Sequence, residues 1–307
     1  MQAVIKMTPA QLKTIQQTYP SNRPLPPGAV FAHRGNGLNV TGYRSGKVLF
    51  QGPTAEAAAA KWGPLAPAKQ SKATKGSAKG DTLPPDFANW SVIGSDEVGN
   101  GSYFGPLTIA AVYVSQENLS FVRNLGVADS KTLTDAQIDQ MAIKMMTKLP
   151  YHIVNIMPQK YNQVHEQMNI EKMKAVSHNF ALLKVLKKIQ PDQPQGILID
   201  QFEPRATYYR YLKDEPVVLR DNVYFTTKAE QFHLAVAAAS IIARHQANLS
   251  MIELSKRAGR DIPVGAHKSI DKIAADLLDQ GGLAYLGQFA KLHFINTKKA
   301  QALRSPR

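Results

Sequence analysis

Residues 92–106 read Val-Ile-Gly-Ser-Asp-Glu-Val-Gly-Asn-Gly-Ser-Tyr-Phe-Gly-Pro, an apolar run that ends in two adjacent acids before a glycine-rich segment. This pattern predicts a buried strand that leads into a loop. Neighbouring carboxylates repel each other unless a cation compensates them, so Asp96 and Glu97 are candidate ligands of a divalent metal ion. A strand that simply ends in a solvated acidic pair shows the same pattern.

The composition narrows the class of protein and the kind of metal site. The chain has 307 residues, 44% of them hydrophobic, which is enough for two domains and a full core. No run approaches the roughly 20 apolar residues of a membrane helix, so we expect a soluble, cytoplasmic protein that does not bind a membrane. The chain has no Cys. Disulfides and thiolate zinc sites are therefore excluded, and carboxylate ligands favour Mg²⁺ or Mn²⁺.

Positive charge is concentrated towards the N-terminus. The formal net charge of the chain is +14, and residues 1–86 contain 11 Lys and Arg against only Glu56, Asp81 and Asp86. A surface so cationic suits a polyanionic partner, because each neutralised phosphate releases counterions. Nucleic acid is the leading candidate. A basic surface that only maintains solubility is the alternative.

Residues 64–86 divide the chain into two predicted domains. This segment is rich in Pro, Gly, Ala, Ser and Lys and has no hydrophobic periodicity, which is typical of a flexible, cationic linker. Residues 1–63 show a strand, a helix, three short strands and a second helix, which predicts a small α+β domain that binds substrate. Arg34, Arg44 and Lys47 fall around its hairpin turns, where a sheet face could meet a phosphate backbone. A sheet that only covers its helices would show the same pattern.

Residues 87–307 form the predicted catalytic domain. Strand-like and helical segments are interspersed along it, which predicts an α/β domain with a mixed sheet and flanking helices. The six predicted strands are 91–97, 107–114, 151–157, 196–200, 217–220 and 223–226. The main predicted helices are one that begins at Thr134, one over 170–189 with apolar residues at Met173, Val176, Phe180, Leu183 and Leu186, and one over 229–256.

Two further acids stand where α/β sheets commonly place ligands. Residues 196–200, Gly-Ile-Leu-Ile-Asp, have the pattern of a buried strand that ends in a carboxylate, although Asp200 could also serve as an N-cap or turn residue. Glu230 opens a helix of small residues, 235–244, that could press closely on the sheet and hold this carboxylate at its edge. An acid in a first helical turn also suits the helix dipole, so a purely structural role for Glu230 is the alternative.

Asp96, Glu97, Asp200 and Glu230 together supply four carboxylates from three elements. Such a set can hold two divalent ions about 3.5–4 Å apart, one to activate a water and one to stabilise the departing oxygen of a phosphodiester. The predicted chemistry is phosphodiester hydrolysis.

An ordered series of motifs resembles the type 2 ribonucleases H over roughly residues 90–300. The series is Gly94-Ser95-Asp96-Glu97-Val98-Gly99-Asn100-Gly101, Phe104-Gly105-Pro106, Asp129-Ser130-Lys131 and Ala239-Ser240-Ile241-Ile242-Ala243-Arg244. The basic N-terminal extension, and Glu230 where ribonuclease HII usually has Asp, are similar to the ribonuclease HIII branch.

This resemblance implies an RNase H-like fold preceded by a small domain similar to the TATA-binding protein. It implies cleavage of the RNA strand of RNA/DNA hybrids, which leaves 3′-hydroxyl and 5′-phosphate ends, with Mg²⁺ or Mn²⁺ held by the four acids. Substrate contacts are implied for Gly99, Asn100, Gly101, Ser130 and Lys131, although Lys131 could also be merely solvated after a turn.

Asn100 is a departure from ribonuclease HII, which has Arg between the two glycines. We therefore expect poor cleavage at a lone ribonucleotide in DNA. The alternatives are another nuclease or strand-transfer enzyme of the RNase H-like superfamily, or a non-catalytic nucleic-acid-binding protein. A monomer is the expected state.

Overall fold

The computed structural model describes residues 2–26, 28–35, 37–63, 80–127 and 133–303. The chain divides into two compact units, Met1–Ser77 and Ala78–Arg307, each with its own sheet and its own hydrophobic core. Across the described part of the chain, no helix is both long enough and apolar enough to span a bilayer.

The first unit follows the predicted order of elements. Its helices and strands are β1 (Gln2–Lys6), α1 (Pro9–Thr18), β2 (Ala29–Gly35), β3 (Leu38–Tyr43), β4 (Lys47–Gln51) and α2 (Ala55–Ala60). Thr8 caps α1 through a capping box with Gln11, and Pro9 occupies the first turn. The sequence signals for this helix therefore match its start.

The sheet of the first unit has one covered face and one face away from the helices. Its strand order is β1-β4-β3-β2, and all neighbours are antiparallel. Ile5, Val48 and Phe50 are fully buried in the core that the helices cover. Because side chains alternate along a strand, Lys6 and Lys47 fall on the other face, where they lie directly opposite each other and are both exposed.

The second unit alternates strands and helices as predicted. Its elements are β5 (Val92–Val98), β6 (Leu107–Val114), α3 (Leu119–Asn124), α4 (Asp135–Lys148), β7 (Tyr151–Ile156), α5 (Pro158–His165), α6 (Ile170–Ile189), β8 (Gly196–Asp200), α7 (Arg205–Tyr211), β9 (Val223–Thr226), α8 (Leu234–Ala258), α9 (Lys268–Leu286) and α10 (Ile295–Leu303). A break in helical geometry at Gly281 and Gly282 interrupts α9.

A five-stranded mixed sheet lies between helices, in the order β7-β6-β5-β8-β9. The central strand β5 runs antiparallel to β6 and parallel to β8, so β5 and β8 end at the same edge of the sheet. One face packs against α3, α4 and α8, and the other against α5, α6 and α7. A Cβ at Gly94 would lie 2.3 Å from the backbone nitrogen of Val236, so the small-residue start of α8 presses directly on β5.

The predicted strand over 217–220 is wrong. This segment has no regular structure, because the Asn179 side chain takes its backbone polar groups: it donates to the Val217 carbonyl at 2.8 Å and accepts from the Leu219 amide at 3.1 Å. The helix predicted over 229–256 also begins later than expected. Its start is Leu234, after a short 3₁₀ turn over Ala229–Gln231.

The end of the predicted linker is attached to the second unit. Residues 64–79 lie outside the described residues, but Gly80 pairs with Thr226, and Asp81 accepts hydrogen bonds from the Phe225 amide at 3.0 Å and from Arg205 at 2.7 Å. These contacts attach Gly80 and Asp81 to β9, although the sequence analysis assigned both residues to the linker.

Candidate metal centre

Three of the four predicted acids line one cavity at the edge of the second sheet. Asp96 lies near the end of β5, Asp200 ends the parallel neighbour β8, and Glu230 lies in the 3₁₀ turn that precedes α8. The cavity has a volume of about 230 Å³, and Ser240 and Arg244 also contribute to its wall. Asp200 and Glu230 follow Asp96 by 104 and 134 residues in the sequence. The parallel pairing of β5 with β8 and the packing of α8 bring the three acids together.

Asp96 is held on the α8 side of the sheet. Its Oδ1 accepts a hydrogen bond from the Glu97 amide at 2.7 Å, and its carboxylate also bonds the Ser240 side chain. Burial is the main reason why the pKa of Asp96 is raised to about 7. The hydrogen bond from Ser240 lowers this pKa, whereas the negative charges of Glu97 and Asp200 raise it further. The carboxylate is thus costly to ionise without a nearby cation.

Asp200 connects β8 to the turn that carries Glu230. Its Oδ1 accepts a hydrogen bond from the Ala229 amide at 2.9 Å, which holds Glu230 at the cavity. Burial raises the pKa of Asp200, the Ala229 hydrogen bond opposes this, and the charges of Glu97 and Glu230 raise it further. Asp200 is the last residue of β8 and does not cap the following helix, whose N-cap is Pro204. Its side chain instead fixes the distant turn that carries Glu230.

Glu97 faces the opposite side of β5, against α6. Its carboxylate accepts hydrogen bonds from Lys174 at 3.4 Å and from His178 at 3.1 Å. Burial alone would raise the pKa of Glu97, but the His178 hydrogen bond and the nearby positive charges hold it below its usual value. Among the contacts described for Asp96, Glu97 and Asp200, Glu97 is the one that accepts a hydrogen bond from an ammonium group.

The donor set fits a hard divalent cation. The four side chains offer only carboxylate oxygens, which suit magnesium-like and manganese-like ions. Burial is the main cause of the raised pKa values of Asp96 and Asp200, so a bound cation would favour the ionised form of both groups. Among the described residues, no three His, Asp or Glu side chains come close enough to form a ready-made cage.

The predicted glycine-rich loop follows β5 directly. Gly99 has a φ of +96°, and a Cβ there would lie 2.1 Å from the Pro106 carbonyl oxygen, so only glycine fits. Gly101 is exposed and has open space around its Cα, as expected for a place where a ligand could approach the backbone. Asn100 between them is also exposed.

Lys291 holds the back of this loop. Its ammonium group is buried and donates hydrogen bonds of 2.8 Å to the carbonyls of Ser102 and Gly105. Burial lowers the pKa of Lys291 to about 7. Lys291 could not be identified from the sequence, because no local sequence pattern distinguishes a lysine that bonds the backbone of a distant loop.

The remaining predicted substrate residues do not share one place. Ser130 and Lys131 lie outside the described residues. Arg34, Arg44 and Lys47 are exposed on the first unit, but Arg34 lies near the β2–β3 turn, whereas the other two flank the β3–β4 turn. These turns are at opposite ends of β3, about 20 Å apart for a six-residue strand, so the three cations do not form a single cluster.

The two side chains that bond Glu97 were not predicted from the sequence. Lys174 and His178 lie four residues apart on α6, and both are buried although the apolar pattern did not include them. Phe180, one of the apolar residues of that pattern, is 46% exposed. A Lys and a His spaced by one helical turn, in a helix that faces an acid-bearing strand, are the signal that could have revealed the pair.

Comparisons with known proteins agree with this architecture. A family model described as Ribonuclease HII matches residues 93–297, and one described as Domain of unknown function (DUF3378) matches residues 2–75. Ribonuclease HIII of Leuconostoc mesenteroides is 53% identical over 307 residues, with 99% of this chain and 100% of the relative covered. Ribonuclease HIII of Bacillus subtilis is 44% identical over 305 residues, with 98% and 97% covered.

A solved structure gives the same result for the fold. The crystal structure of Bst-RNase HIII in complex with Mn²⁺ is 39% identical to this chain, with a TM-score of 0.70 and all of both chains covered. The relatives match over nearly their full lengths, and the Ribonuclease HII model spans the unit that carries the four acids. The chain therefore belongs to the ribonuclease HIII family of type 2 ribonucleases H.

Proposed function

We propose that this protein is an endoribonuclease that hydrolyses the RNA strand of RNA/DNA hybrids and leaves 3′-hydroxyl and 5′-phosphate ends. The observation that carries the proposal is the cavity shared by Asp96, Asp200 and Glu230, with Glu97 next to Asp96 on the opposite face of β5. Membership in the ribonuclease HIII family supports the choice of substrate.

Asp96, Glu97, Asp200 and Glu230 are the proposed ligands of Mg²⁺ or Mn²⁺, and a relative crystallised with Mn²⁺ supports the choice of a divalent ion. When bound, such ions supply an activated water and stabilise the leaving oxygen. The protein contributes the placement of these acids. The amide of Ala229 orients Asp200, Ser240 orients Asp96, and Lys174 with His178 orients Glu97.

The glycine loop is the proposed reader of the RNA strand. Gly99 allows the backbone to turn sharply beside the acids, and Gly101 leaves the loop surface bare, so a ribose 2′-hydroxyl can reach main-chain groups. Ser130 and Lys131 are proposed phosphate contacts on the same strand. Because Asn100 stands where ribonuclease HII has Arg, we expect much weaker cleavage at a single ribonucleotide within DNA.

The first unit, residues 1–63, is the proposed substrate-binding domain, joined by the 64–79 segment to the catalytic domain. Its sheet face away from the helices places the exposed cations Lys6 and Lys47 directly opposite each other. Like charges in this position destabilise a sheet unless an anion lies between them, which favours a phosphate backbone as the partner of this face. A monomer in the cytoplasm completes the proposal.

The test is a cleavage assay on three labelled duplexes of one sequence: an RNA/DNA hybrid, a DNA duplex and a DNA duplex with one ribonucleotide. We expect metal-dependent cleavage of the hybrid, no cleavage of plain DNA and poor cleavage at the single ribonucleotide. Asp200→Asn should abolish cleavage while hybrid binding persists. Equal cleavage of plain DNA would favour another nuclease of the same superfamily, and unchanged behaviour of the Asp200 variant would leave only a binding protein.

A further inference from the structure

Lys174 is a buried cation in contact with one proposed metal ligand. Its side chain is 2% exposed, and its ammonium group lies 3.4 Å from Glu97 Oε1 and 2.6 Å from Glu171 Oε2. The same nitrogen is 4.3 Å from the centroid of the Phe202 ring. A buried ammonium group is costly unless carboxylates and an aromatic face compensate it, so this position is built around the charge.

His178 completes the contact from the next turn of α6. Its side chain is fully buried, with Nε2 3.1 Å from Glu97 Oε2 and Nδ1 2.8 Å from the Ser95 hydroxyl oxygen. One arrangement of protons satisfies both bonds with a neutral ring: Nε2–H donates to Glu97, and the Ser95 hydroxyl donates to Nδ1. The ring also stacks on Phe202, with centroids 5.1 Å apart. Both oxygens of Glu97 are thus engaged from the α6 side.

The other side of β5 is different. The hydrogen-bond donors described for Asp96 and Asp200 are neutral: the amides of Glu97 and Ala229, and the Ser240 side chain. Arg244 contributes to the cavity wall, but its guanidinium group forms an ion pair with Asp135 at 2.8 Å. The ammonium group of Lys174 is thus a contact of Glu97 and not of Asp96 or Asp200.

We infer that Lys174 and His178 are positioning residues that hold Glu97 against α6, and that Lys174 competes with a divalent ion for this carboxylate. The inference rests on the proposed metal function. Asp96, Asp200 and Glu230 would hold a divalent ion in their shared cavity, and Glu97 would be available to it only when its contact with Lys174 loosens. Glu171 makes the release of Glu97 possible. Its carboxylate lies closer to Lys174 than that of Glu97 does, so Lys174 keeps an ion pair when Glu97 leaves.

Direct Mn²⁺ binding to the full-length protein without substrate tests this inference. Calorimetry or electron paramagnetic resonance of free Mn²⁺ at pH 8 reports affinity independently of catalysis. Lys174→Met removes the competitor and should tighten binding by about threefold or more. Glu171→Gln leaves Lys174 with Glu97 as its remaining carboxylate and should weaken binding by a similar factor. Lys172→Met, on the exposed side of the same helix with a surface ion pair to Asp214, is the matched control and should change nothing.

The Glu97→Gln background separates competition from a general field effect. If Lys174 acts through Glu97, neither Lys174→Met nor Glu171→Gln changes the affinity in that background. Effects that persist there overturn the inference, as does unchanged or weaker binding by Lys174→Met in the wild-type background. Thermal unfolding checks the fold of each variant. Glu171 is 27% exposed, so we expect Glu171→Gln to fold even if Lys174→Met does not. In that case Glu171→Gln is the deciding variant. Unchanged Mn²⁺ affinity of Glu171→Gln then contradicts the inference.

The same titration distinguishes failure of the inference from failure of the proposed function. If the wild-type protein binds no Mn²⁺, both the proposed metal centre and the inference about Lys174 are contradicted. If the wild-type protein binds Mn²⁺ but the variants do not shift in opposite directions, only the role of Lys174 is lost.

Discussion

Asp96 and Glu97 are neighbours in the chain, yet their carboxylates face opposite sides of β5 because side chains alternate along a strand. The sequence was sufficient to predict both as acids at a strand end. It could not predict their different environments, since these depend on Ser240 and Lys174, which come from helices on the two faces. Local patterns identify a charged side chain, but only packing decides what compensates it.

The raised pKa of Asp96 predicts that metal binding is linked to a proton. Burial holds this pKa near 7, so the carboxyl group is largely protonated below pH 7 and must lose its proton to bind an ion. Affinity for Mn²⁺ should therefore rise about tenfold per pH unit up to pH 7 and then level off. Calorimetry in buffers of different ionisation enthalpy should show about one proton released at pH 6 and almost none at pH 8. Equal proton release at both values would contradict the assignment.

Gly101 offers a test of the loop that does not disturb the fold. A Cβ at this position has no atom within 4 Å, so Gly101→Ala should leave the melting temperature unchanged. If the bare backbone approaches the RNA strand, the added methyl group should lower kcat/KM on hybrids by about tenfold. Full activity in Gly101→Ala would show that the substrate does not approach this part of the loop.

Helices and strands were predictable where one local signal dominates. The start of α1 follows from Thr8 and Pro9, and β8 follows from an apolar run that ends in an acid. The failure at 217–220 has a tertiary cause, because the Asn179 side chain replaces a neighbouring strand as hydrogen-bond partner. The late start of α8 has a similar cause. The buried His233 forms the N-cap, because its side chain accepts a hydrogen bond from the Ala235 amide.

The close contact of β5 with α8 predicts a large effect of a single methyl group. In Gly94→Ala, the new Cβ would lie 2.3 Å from Val236 N and 2.4 Å from Ala235 C, both backbone atoms that cannot give way easily. We expect a loss of about 1–3 kcal/mol in the free energy of unfolding, measured in urea. Cleavage should fall as well, because α8 carries Ser240 and follows the turn of Glu230. Gly101→Ala is the matched control for stability, and equal unfolding midpoints for the two variants would refute this packing argument.

The presence of two units was predictable from charge and composition. The boundary was less predictable, because Gly80 and Asp81 have the composition of a linker but bond to the end of the second sheet. Arg34 lies near one end of β3, whereas Arg44 and Lys47 lie near the other end. The sequence did not reveal this separation, because it does not show which turns lie at the same end of a sheet. Strand register, which pairs Lys6 with Lys47, carries that information.

The exposed sheet face of the first unit predicts a specific salt dependence. Lys6→Gln combined with Lys47→Gln should weaken hybrid binding and reduce the slope of log K against log salt concentration by about one to two. Lys13→Gln, on a helix that covers the other face, should change neither. Binding measured by fluorescence anisotropy at several salt concentrations gives the comparison. An equal effect of the control variant would indicate a diffuse field rather than a binding face.

The proposed hydrolysis requires that the acids bind divalent ions together. The most direct measurement is an anomalous difference map, at the manganese absorption edge, from crystals of the full chain grown with Mn²⁺. The expected result is a Mn²⁺ peak within coordination distance of carboxylates of Asp96, Asp200 and Glu230. Manganese that binds only elsewhere on the chain, with these three carboxylates unligated at saturating Mn²⁺, would contradict it.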